Sequence, residues 1–354
     1  MKDSFNVLSI ILILGVMVVS CNQNKETNPK NELKFAKLTG PYLGQKPQGM
    51  KAEIFAPSLL SCANRELSIT FSPDEMECCY TFYTPGGSNY KQQTGVLKKW
   101  FIMYAHMENG HWTEPAEFSF NPDLQERYPF FSPDGKRIYF NSYRNWANPP
   151  DSSSTYIWYV ERQNGEWNEP EEIDFGKGFT GRRTAMFPTA AANGNLYFTL
   201  FPDGMNGVIY MSRYENGKYS SPERLSDAIN DQGGSHPYIA PDESYIIYDW
   251  ENPEDNNSSN DLMISFRDKN GNWMKPLNLG ERVNSTYDER RPFVSFDRKY
   301  LFFASDRIEN TELQDNPLTL KELKQLTNVP AKRRQHIYWV DAKVIEELKP
   351  DELK

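Results

Sequence analysis

Residues 127–140 read RYPFFSPDGKRIYF, and this stretch decides the fold. It places a bulky apolar run, a Pro-Asp-Gly corner and a second apolar run within fourteen positions. Apolar runs rich in aromatic and β-branched residues on both sides of a tight turn predict a β-hairpin. Four further stretches follow the same plan and begin at Leu67, Thr184, Ser235 and Arg290. The hairpin therefore recurs five times along the chain.

A second repeated motif keeps step with the hairpin. It joins alternating apolar residues to an Asn-Gly turn, an aromatic residue and a proline, as in MYAHMENGHWTEP. The turn asparagines follow one another at intervals of 55, 52 and 54 residues and are Asn109, Asn164, Asn216 and Asn270. Asn-Gly favours hairpins because both central residues of a type I′ turn need a positive φ. Four strands in each unit of about 50 residues are typical of a propeller blade.

The two ends of the repeated region predict how the ring closes. Outer strands follow the first four units and begin at Ala116, Glu171, Glu223 and Leu277. The fifth unit stops after its third strand, His336 to Ala342, and the segment beginning at Ala52 resembles the missing outer strand. We therefore predict an all-β, five-bladed propeller of four-stranded blades, in which the N-terminal strand completes the last blade and leaves no open edge. Six blades are the alternative, because a degenerate unit is easily missed in a single sequence.

The repeats resemble a known family. FSPDGKRIYF and its weaker copies are similar to the Pro-Asp repeat of TolB-type, WD40-like propellers, and GPYLGQKPQGMKAEIFAPSLLS resembles the opening of exported propeller lipoproteins of that group. The resemblance covers about Leu38 to Ala342, and it implies the fold and a binding or scaffolding role. The third unit departs from the pattern, since Ala190 to Ala192 stand where Ser-Pro-Asp is expected. Its corner must then be made by Asn193 and Gly194.

The N-terminus is typical of an exported lipoprotein. Lys2 precedes an apolar stretch from about Val7 to Val19, which is shorter than the ~20 residues that a membrane-spanning helix needs. VVSC resembles the lipobox of bacterial lipoproteins, which implies that Cys21 is lipidated and becomes the first mature residue. Asn22 is not the aspartate that retains some lipoproteins at the inner membrane, so we expect attachment to the outer membrane, on its periplasmic or cell-surface side.

The chain then divides into four parts. We predict a signal peptide over residues 1–20, a flexible tether over 21–37, the propeller over 38–342 and a helical tail over 343–354. The tether prediction rests on a polar composition without apolar periodicity.

The net charge and the sequence motifs limit which partners and cofactors this protein is expected to bind. A net charge of -9 argues against nucleic acid, because phosphate binding needs a basic surface. The membrane, reached through the lipid, and a glycan, a peptide or an envelope protein are the expected partners. GKGFTG at Gly176 fits a dinucleotide motif but lies between two predicted strands, with no helix N-terminus to receive a phosphate. No GxSxG, HExxH or calcium-loop motif occurs, so we expect no cofactor and no metal.

Three cysteines remain in the mature domain, Cys62, Cys78 and Cys79. An exported chain can keep a disulfide, and Cys62 could pair with either of the other two. The alternative is that all three are small buried hydrophobes. Cys78 and Cys79 cannot face the same partner, because neighbouring strand residues point to opposite faces of a sheet.

Polar residues precede each innermost strand, where the blades converge on the mouth of the central channel. The binding candidates are Arg65, Arg127, Arg183, His236, Arg290 and Arg291. Arginine binds carboxylates in a bidentate fork and stacks on rings, so this cluster predicts a site for an acidic glycan or a carboxylate-bearing peptide end. The alternative is that Glu126 pairs with Arg127, and Glu289 with a neighbouring arginine, to neutralise a narrow channel.

Two functions remain for such a protein. The first is a lipid-anchored binding or scaffold module, and the alternative is a glycan-active hydrolase or lyase with an axial carboxylate and histidine site. The catalytic candidates are Glu66, Glu126 and Glu289, with Asp231 nearby. Their arginine neighbours are expected to lower the pKa of these carboxylates, which suits a nucleophile and disfavours a general acid. Binding is therefore the preferred hypothesis, and an enzymatic role is the less favoured one.

Overall fold

The protein was analysed as a computed structural model. The structure describes residues 37–57, 60, 65–83, 100–118, 125–142, 156–176, 185–202, 207–231, 233–251, 259–307 and 335–354. Contacts divide the chain into residues 1–34 and residues 35–354, and everything below concerns the second unit. The predicted signal peptide, Cys21 and nearly all of the predicted tether lie outside the described residues.

Five antiparallel sheets of four main strands form the blades of the propeller. Strand β1 (Glu53–Ile54) opens the domain. Blade 1 contains β2 (Arg65–Phe71), β3 (Glu77–Tyr83), β4 (Trp100–Glu108) and β6 (Ala116–Glu117), with β5 (His111–Trp112) beside β4. Blade 2 contains β7 (Glu126–Phe131), β8 (Arg137–Ser142), β9 (Tyr156–Gln163) and β11 (Glu171–Glu172), with β10 (Glu166–Trp167) beside β9. Blade 3 contains β12 (Ala185–Ala190), β13 (Leu196–Leu200), β14 (Val208–Ser212) and β17 (Glu223–Arg224). A small separate hairpin of β15 (Tyr214–Glu215) and β16 (Lys218–Tyr219) lies between β14 and β17 in the sequence. Blade 4 contains β18 (Ser235–Ile239), β19 (Tyr245–Glu251), β20 (Asn260–Phe266) and β21 (Leu277–Asn278). Blade 5 contains β22 (Glu289–Val294), β23 (Tyr300–Ser305), β24 (His336–Asp341) and β1.

The ring closes between the two ends of the domain. Strand β1 pairs antiparallel with β24, with Glu53 opposite Trp339 and Ile54 opposite Tyr338. The prediction of five blades with an N-terminal strand in the last one is therefore confirmed, and the six-bladed alternative is not needed. The outer strands predicted at residues 116, 171, 223 and 277 are present as β6, β11, β17 and β21.

The propeller has two faces. We call the face where the innermost strands begin the mouth face, and the face with the corners between first and second strands the turn face. Three of these corners share one arrangement. A serine hydroxyl donates a hydrogen bond to the aspartate two residues later, and the same carboxylate accepts a second hydrogen bond from the backbone N–H two residues after the aspartate. The pairs are Ser72 with Asp74, Ser132 with Asp134 and Ser295 with Asp297. In blade 3, Asn193 and Gly194 make the corner, as predicted.

Two short helices lie outside the blades, α1 (Asp227–Asn230) and α2 (Lys343–Leu348). Helix α2 follows β24 directly and buries Val344 and Ile345 against the main core. A 3-10 turn, Asp351–Leu353, follows α2, and another, Tyr42–Gly44, precedes β1. Within the described part of the chain, the helices are all too short or too polar to cross a bilayer.

Cys78 and Cys79 are free thiols, and both are fully buried in β3. They join different apolar clusters, because consecutive residues of a strand point to opposite faces of the sheet. The suggested disulfide from Cys62 to either of them is therefore not formed, and these two residues act as small core hydrophobes. Cys62 itself lies outside the described residues.

Aromatic side chains fill the joint between the first and last blades. Phe55 directly follows β1 and is fully buried. Its ring lies 5.9 Å from that of Phe71 in blade 1, and 5.2 and 5.0 Å from those of Phe302 and Trp339 in blade 5. The closing segment is thus held by apolar packing in addition to its short ladder of hydrogen bonds.

Truncation of Phe55 tests this closure. Phe55→Ala should lower the free energy of unfolding by about 3–5 kcal/mol, because it leaves a cavity where the ring of blades is joined. Urea denaturation measures the loss. Ile54→Ala is the control, since Ile54 directly precedes Phe55 but is only half-buried. Equal losses in the two variants would contradict a closure that depends on aromatic packing.

A carboxylate pair spans the same joint on the turn face. The Tyr42 hydroxyl donates to Asp297 Oδ1 at 2.7 Å, and Lys299 Nζ lies 2.8 Å from Asp297 Oδ2. Glu75, in the corner of blade 1, contributes a second carboxyl group that hydrogen-bonds Asp297. Burial raises the pKa of Glu75 to about 7, and the hydrogen bond and charge of Asp297 act in the same direction. Folding therefore favours the protonated form of Glu75.

This pair predicts a pH-dependent stability. The pKa of Glu75 is above its ordinary value of 4.5 in the folded state, so its stabilising effect is complete below pH 4.5 and is lost as the pH rises through about 7. Glu75→Gln cannot ionise and should show a smaller fall in the free energy of unfolding between pH 5 and pH 8, measured by urea denaturation. Glu215→Gln, an exposed substitution on another hairpin, should keep the parent pH profile. An unchanged profile for Glu75→Gln would refute the raised pKa of Glu75.

Candidate functional site

Each innermost strand contains one extra residue near its start. In all five blades, two residues of this strand face a single residue of the second strand at the same register position. We call the residues that begin these bulges the axial ring, and they are Leu67, Tyr128, Phe187, His236 and Arg291. The last four have a left-handed backbone, with φ from 50 to 60°, and each precedes a proline. Proline has no N–H to give to a sheet, so it fits at a bulge.

The axial ring meets on the axis of the propeller. The Tyr128 ring of blade 2 lies 6.3 Å from that of His236 in blade 4, and Arg291 Cζ of blade 5 lies 5.6 Å from the Tyr128 centroid. Blades 2 and 4, and blades 2 and 5, are not neighbours, so these contacts can form only at the centre. Phe187 fills the space between, 4.5 Å from Tyr128 and 3.7 Å from His236.

A second layer of side chains lies beneath the axial ring. Its members come two residues later in each strand, are all buried, and are Ile69, Phe130, Thr189, Tyr238 and Phe293. The Phe130 ring contacts Tyr238 at 6.4 Å and Phe293 at 6.1 Å, again between blades that are not neighbours. The described residues therefore fill the axis, and we call Tyr128, Phe187 and His236 the aromatic floor of the mouth.

His236 is a neutral member of this floor. Its Nδ1 lies 2.7 Å from Asp249 Oδ1, and both side chains are buried, at 7% and 1% exposure. Burial lowers the pKa of His236 to about 4, and Arg291 and Arg290 lower it further, while Asp249 acts against them. The imidazole is therefore uncharged at neutral pH. Its Nε2 is buried and has no hydrogen-bonding partner among the described residues.

Two arginines lie against the Tyr128 ring. Arg127 Cζ is 5.1 Å and Arg291 Cζ is 5.6 Å from its centroid, and Arg127 also lies 5.2 Å from the Trp100 ring. Arg291 Nη1 donates to Gln335 Oε1 at 3.1 Å, whereas its buried Nε has no hydrogen-bonding partner. Within the part of the chain that the structure describes, Arg291 forms no ion pair. The charge of Asp249, whose Oδ1 accepts the backbone N–H of Arg291 at 3.4 Å, acts on this half-buried guanidinium without forming a salt bridge with it.

Arg290 lies in a different environment from Arg291. Its Nη2 lies 3.2 Å from Asp288 Oδ1, an oxygen that also accepts hydrogen bonds from the backbone and side chain of Asn260. The backbone N–H of Asp288 in turn donates to Asp306 Oδ1 at 2.9 Å. The charge of Arg290 is thus balanced locally by Asp288.

The carboxylates proposed for catalysis are not arranged as expected. Glu289 Oε1 lies 2.9 Å from Arg307 Nη2, so its ion pair is with Arg307 and not with Arg290 or Arg291. Ser285 and Ser305 donate further hydrogen bonds to the same carboxylate. Burial raises the pKa of Glu289 despite Arg307, so the expected lowering is wrong at this position. Glu126 is also buried, with 1% exposure.

The structure describes the other predicted site residues only in part. Arg65 and Glu66 lie in β2, but their side chains are outside the described set, and Arg183 and Cys21 fall outside the described residues altogether. Asp231 is exposed immediately after α1. Of the binding candidates, the structure thus brings together Arg127, His236, Arg290 and Arg291.

Sequence reasoning missed several members of the site. Tyr128 and Phe187 form the floor, Asp249 contacts His236, and Gln335 holds Arg291. The sequence did contain a signal for Tyr128 and Phe187, because every residue of the axial ring except Leu67 directly precedes a proline. Asp249 and Gln335 carry no such signal, because each lies in a different strand or connection from its partner.

Away from the mouth, the described residues include a cleft but no cluster of metal ligands. No group of three or more His, Cys, Asp and Glu side chains among them is arranged to hold a metal ion. A cleft of about 320 Å³ lies between blades 2 and 3, lined in part by Tyr156, Asp174 and Phe175. It contains none of the arginines of the mouth.

Comparison with known proteins adds a likeness in fold. No family profile and no curated protein matches the chain by sequence. Among solved structures, it is similar to TolB of Acinetobacter baumannii, with 18% identity, a TM-score of 0.45 and coverage of 71% of this chain and 51% of the other. A putative TolB of Agrobacterium tumefaciens has 12% identity and a TM-score of 0.44, and the match covers 68% of this chain and 70% of the other. A Bacillus subtilis arabinanase has 11% identity and a TM-score of 0.45, and the match covers 78% of this chain and 95% of the other. The TolB-like propeller resemblance is thus found again, and at these low values it carries no argument about function.

The coupling between His236 and Arg291 can be tested without a ligand. Arg291→Met should raise the pKa of His236 from about 4, because one of the cations that disfavour the imidazolium is removed. The ring signals of His236, assigned with a His236→Gln variant, can be followed by NMR as the pH is lowered. Arg282→Met, at an exposed site paired with Glu347, is the control and should leave the titration unchanged. The same His236 titration in Arg291→Met and the parent would contradict the axial geometry.

Proposed function

We propose that this protein is an envelope binding module, lipid-anchored through Cys21, that captures an anionic, carboxylate-bearing ligand at its mouth face. The observation that carries the proposal is Arg291, a half-buried guanidinium without a carboxylate partner among the described residues. A buried charge is expensive unless it is paired, so an arginine kept in this state points to an anion supplied from outside.

The surroundings of Arg291 fix the orientation of its guanidinium group. Gln335 Oε1 accepts a hydrogen bond from Nη1, and the Tyr128 ring centroid lies 5.6 Å from Cζ. Arg127 lies against the same ring and adds a second cation nearby. Two fixed guanidinium groups above an aromatic floor suit a ligand that combines a carboxylate with a flat or apolar face.

The closed axis determines how such a ligand can bind. Two layers of side chains fill the centre, so the described residues leave no passage along the axis. A ligand is then recognised end-on, by a terminal or protruding acidic group. Acidic sugars and the carboxylate end of a peptide both present such a group, as does an acidic side chain on an envelope protein.

The enzymatic alternative is less well supported. Glycoside hydrolysis requires two carboxylates that flank the scissile bond and are free to reach it. Both oxygens of Glu289 already accept hydrogen bonds from Ser285, and one of them also binds Ser305 and Arg307. Such a saturated group is a structural carboxylate, so binding remains the preferred function.

Substitution of Arg291 tests the proposal. Arg291→Met should weaken the binding of trigalacturonate, or of a peptide with a free C-terminus, by roughly 10–100-fold, since a hydrogen bond to a charged group contributes about 1.5–3 kcal/mol. Isothermal titration against each probe and its neutral form, the methyl ester or the amide, measures the effect. Arg213→Met is the control, because Arg213 is exposed at a blade edge and pairs with Glu223. Equal affinity for acid and neutral forms would overturn the proposal.

A further inference from the structure

The cleft between blades 2 and 3 has apolar walls. It has a volume of about 320 Å³, and it is lined by Ile157 and Ile173 of blade 2 and by Ala185 of blade 3, which are all buried. The Asn141 side chain of blade 2 donates a hydrogen bond to the carbonyl of Ala185 at 2.7 Å. The cleft is therefore part of the joint between two blades.

Blades 3 and 4 fill the equivalent position with an aliphatic residue followed by asparagine. Asn230 Oδ1 accepts the backbone N–H of Ile209 at 2.8 Å, and its Nδ2 donates to the Ile209 carbonyl at 2.9 Å. Asn284 makes the same two contacts with Leu262, again at 2.8 and 2.9 Å. The aliphatic residues before these asparagines are both buried, and they are Ile229 and Val283. We call the pairs 229–230 and 283–284 plugs.

Blade 2 has the same backbone geometry up to the point where a plug would begin. The N–H of Ile173 donates to the carbonyl of Ile157 at 3.0 Å, and the matching bonds in blades 3 and 4, from Leu225 and Leu279, measure 3.0 and 3.1 Å. In blades 3 and 4 the plug asparagine follows this donor by five residues. In blade 2 the residues four and five places after Ile173, at positions 177 and 178, are lysine and glycine. The plug sequence is therefore missing from blade 2.

The rim of the cleft is acidic. Glu172 and Asp174 both line it and are exposed, and its lining residues, which the structure describes in full, include no basic side chain. In blade 4 the residue that directly precedes the plug is Arg282. Because opposite charges across an interface favour the correct partner, a plug preceded by a basic residue matches both the walls and the rim of this cleft.

We propose that the cleft between blades 2 and 3 binds a segment of a partner protein that reads as a basic residue, then valine or isoleucine, then asparagine. The aliphatic side chain lies against Ile157 and Ile173, where its burial stabilises the complex. The asparagine amide pairs with the backbone N–H and C=O of Ile157, as Asn230 does with Ile209, and the basic residue faces Asp174. This site contains none of the mouth residues, so it adds a second binding surface to the proposed function.

A peptide copied from this chain tests the site. The probe is Arg-Val-Asn-Ser, residues 282–285, acetylated and amidated so that it carries no carboxylate. It is titrated into protein with labelled isoleucine methyl groups, and the Ile157 and Ile173 signals are assigned with their valine variants by NMR. Both signals should shift and saturate. An Asn284→Ala peptide should bind roughly tenfold more weakly, because it cannot make the two amide hydrogen bonds.

Protein variants locate the contact. Asp174→Lys reverses an exposed charge of the rim and should weaken binding of the probe by roughly fivefold or more. Glu166→Lys is the matched control, because Glu166 is exposed in the hairpin of the same blade, and it should leave the affinity unchanged. Arg291→Met should also leave it unchanged, so failure here and failure at the mouth are measured separately. No saturable shift of Ile157 and Ile173, or equal affinity for the Asn284→Ala peptide, would overturn the proposal.

Discussion

One extra residue in each innermost strand is the constraint on which the centre of this molecule depends. A regular strand would alternate its side chains between the two faces of its sheet. The bulge interrupts that alternation and turns Leu67, Tyr128, Phe187, His236 and Arg291 toward the axis. Five side chains from five blades then occupy the same small volume, so they pack against one another and close the centre.

The bulges also explain why neighbouring residues have such different environments. Glu289, Arg290 and Arg291 are consecutive, yet each is held by a different set of partners. Glu289 lies with Arg307 and two serines, Arg290 pairs with Asp288, and Arg291 reaches the Tyr128 ring across the axis. Of these three, only Arg291 forms no salt bridge among the described residues, although the charge of Asp249 acts on it. The proposed binding surface therefore depends on a change in backbone geometry of one residue.

Ring closure links this surface to the rest of the chain. The segment that completes blade 5 first crosses the turn face, where Trp112 and Asp297 hold it, and then runs toward the mouth. The same joint is filled by Phe55 and its aromatic neighbours, and it contains the carboxyl pair of Glu75 and Asp297. Stability of the ring and the path of the closing segment across the propeller thus depend on the same contacts.

The blade count, the outer strands and the closing strand could all be read from the amino-acid order. They depend on local chemistry, namely Asn-Gly and Pro-Asp corners between apolar runs, and such chemistry acts within a few residues. The partners of the mouth residues could not be read in this way. Arg291 meets Tyr128, and His236 meets Phe187, only after all five blades have closed, and the bulges shift the register by one position relative to simple alternation. Local rules specify hairpins, whereas contacts between distant blades follow from the geometry of the completed ring.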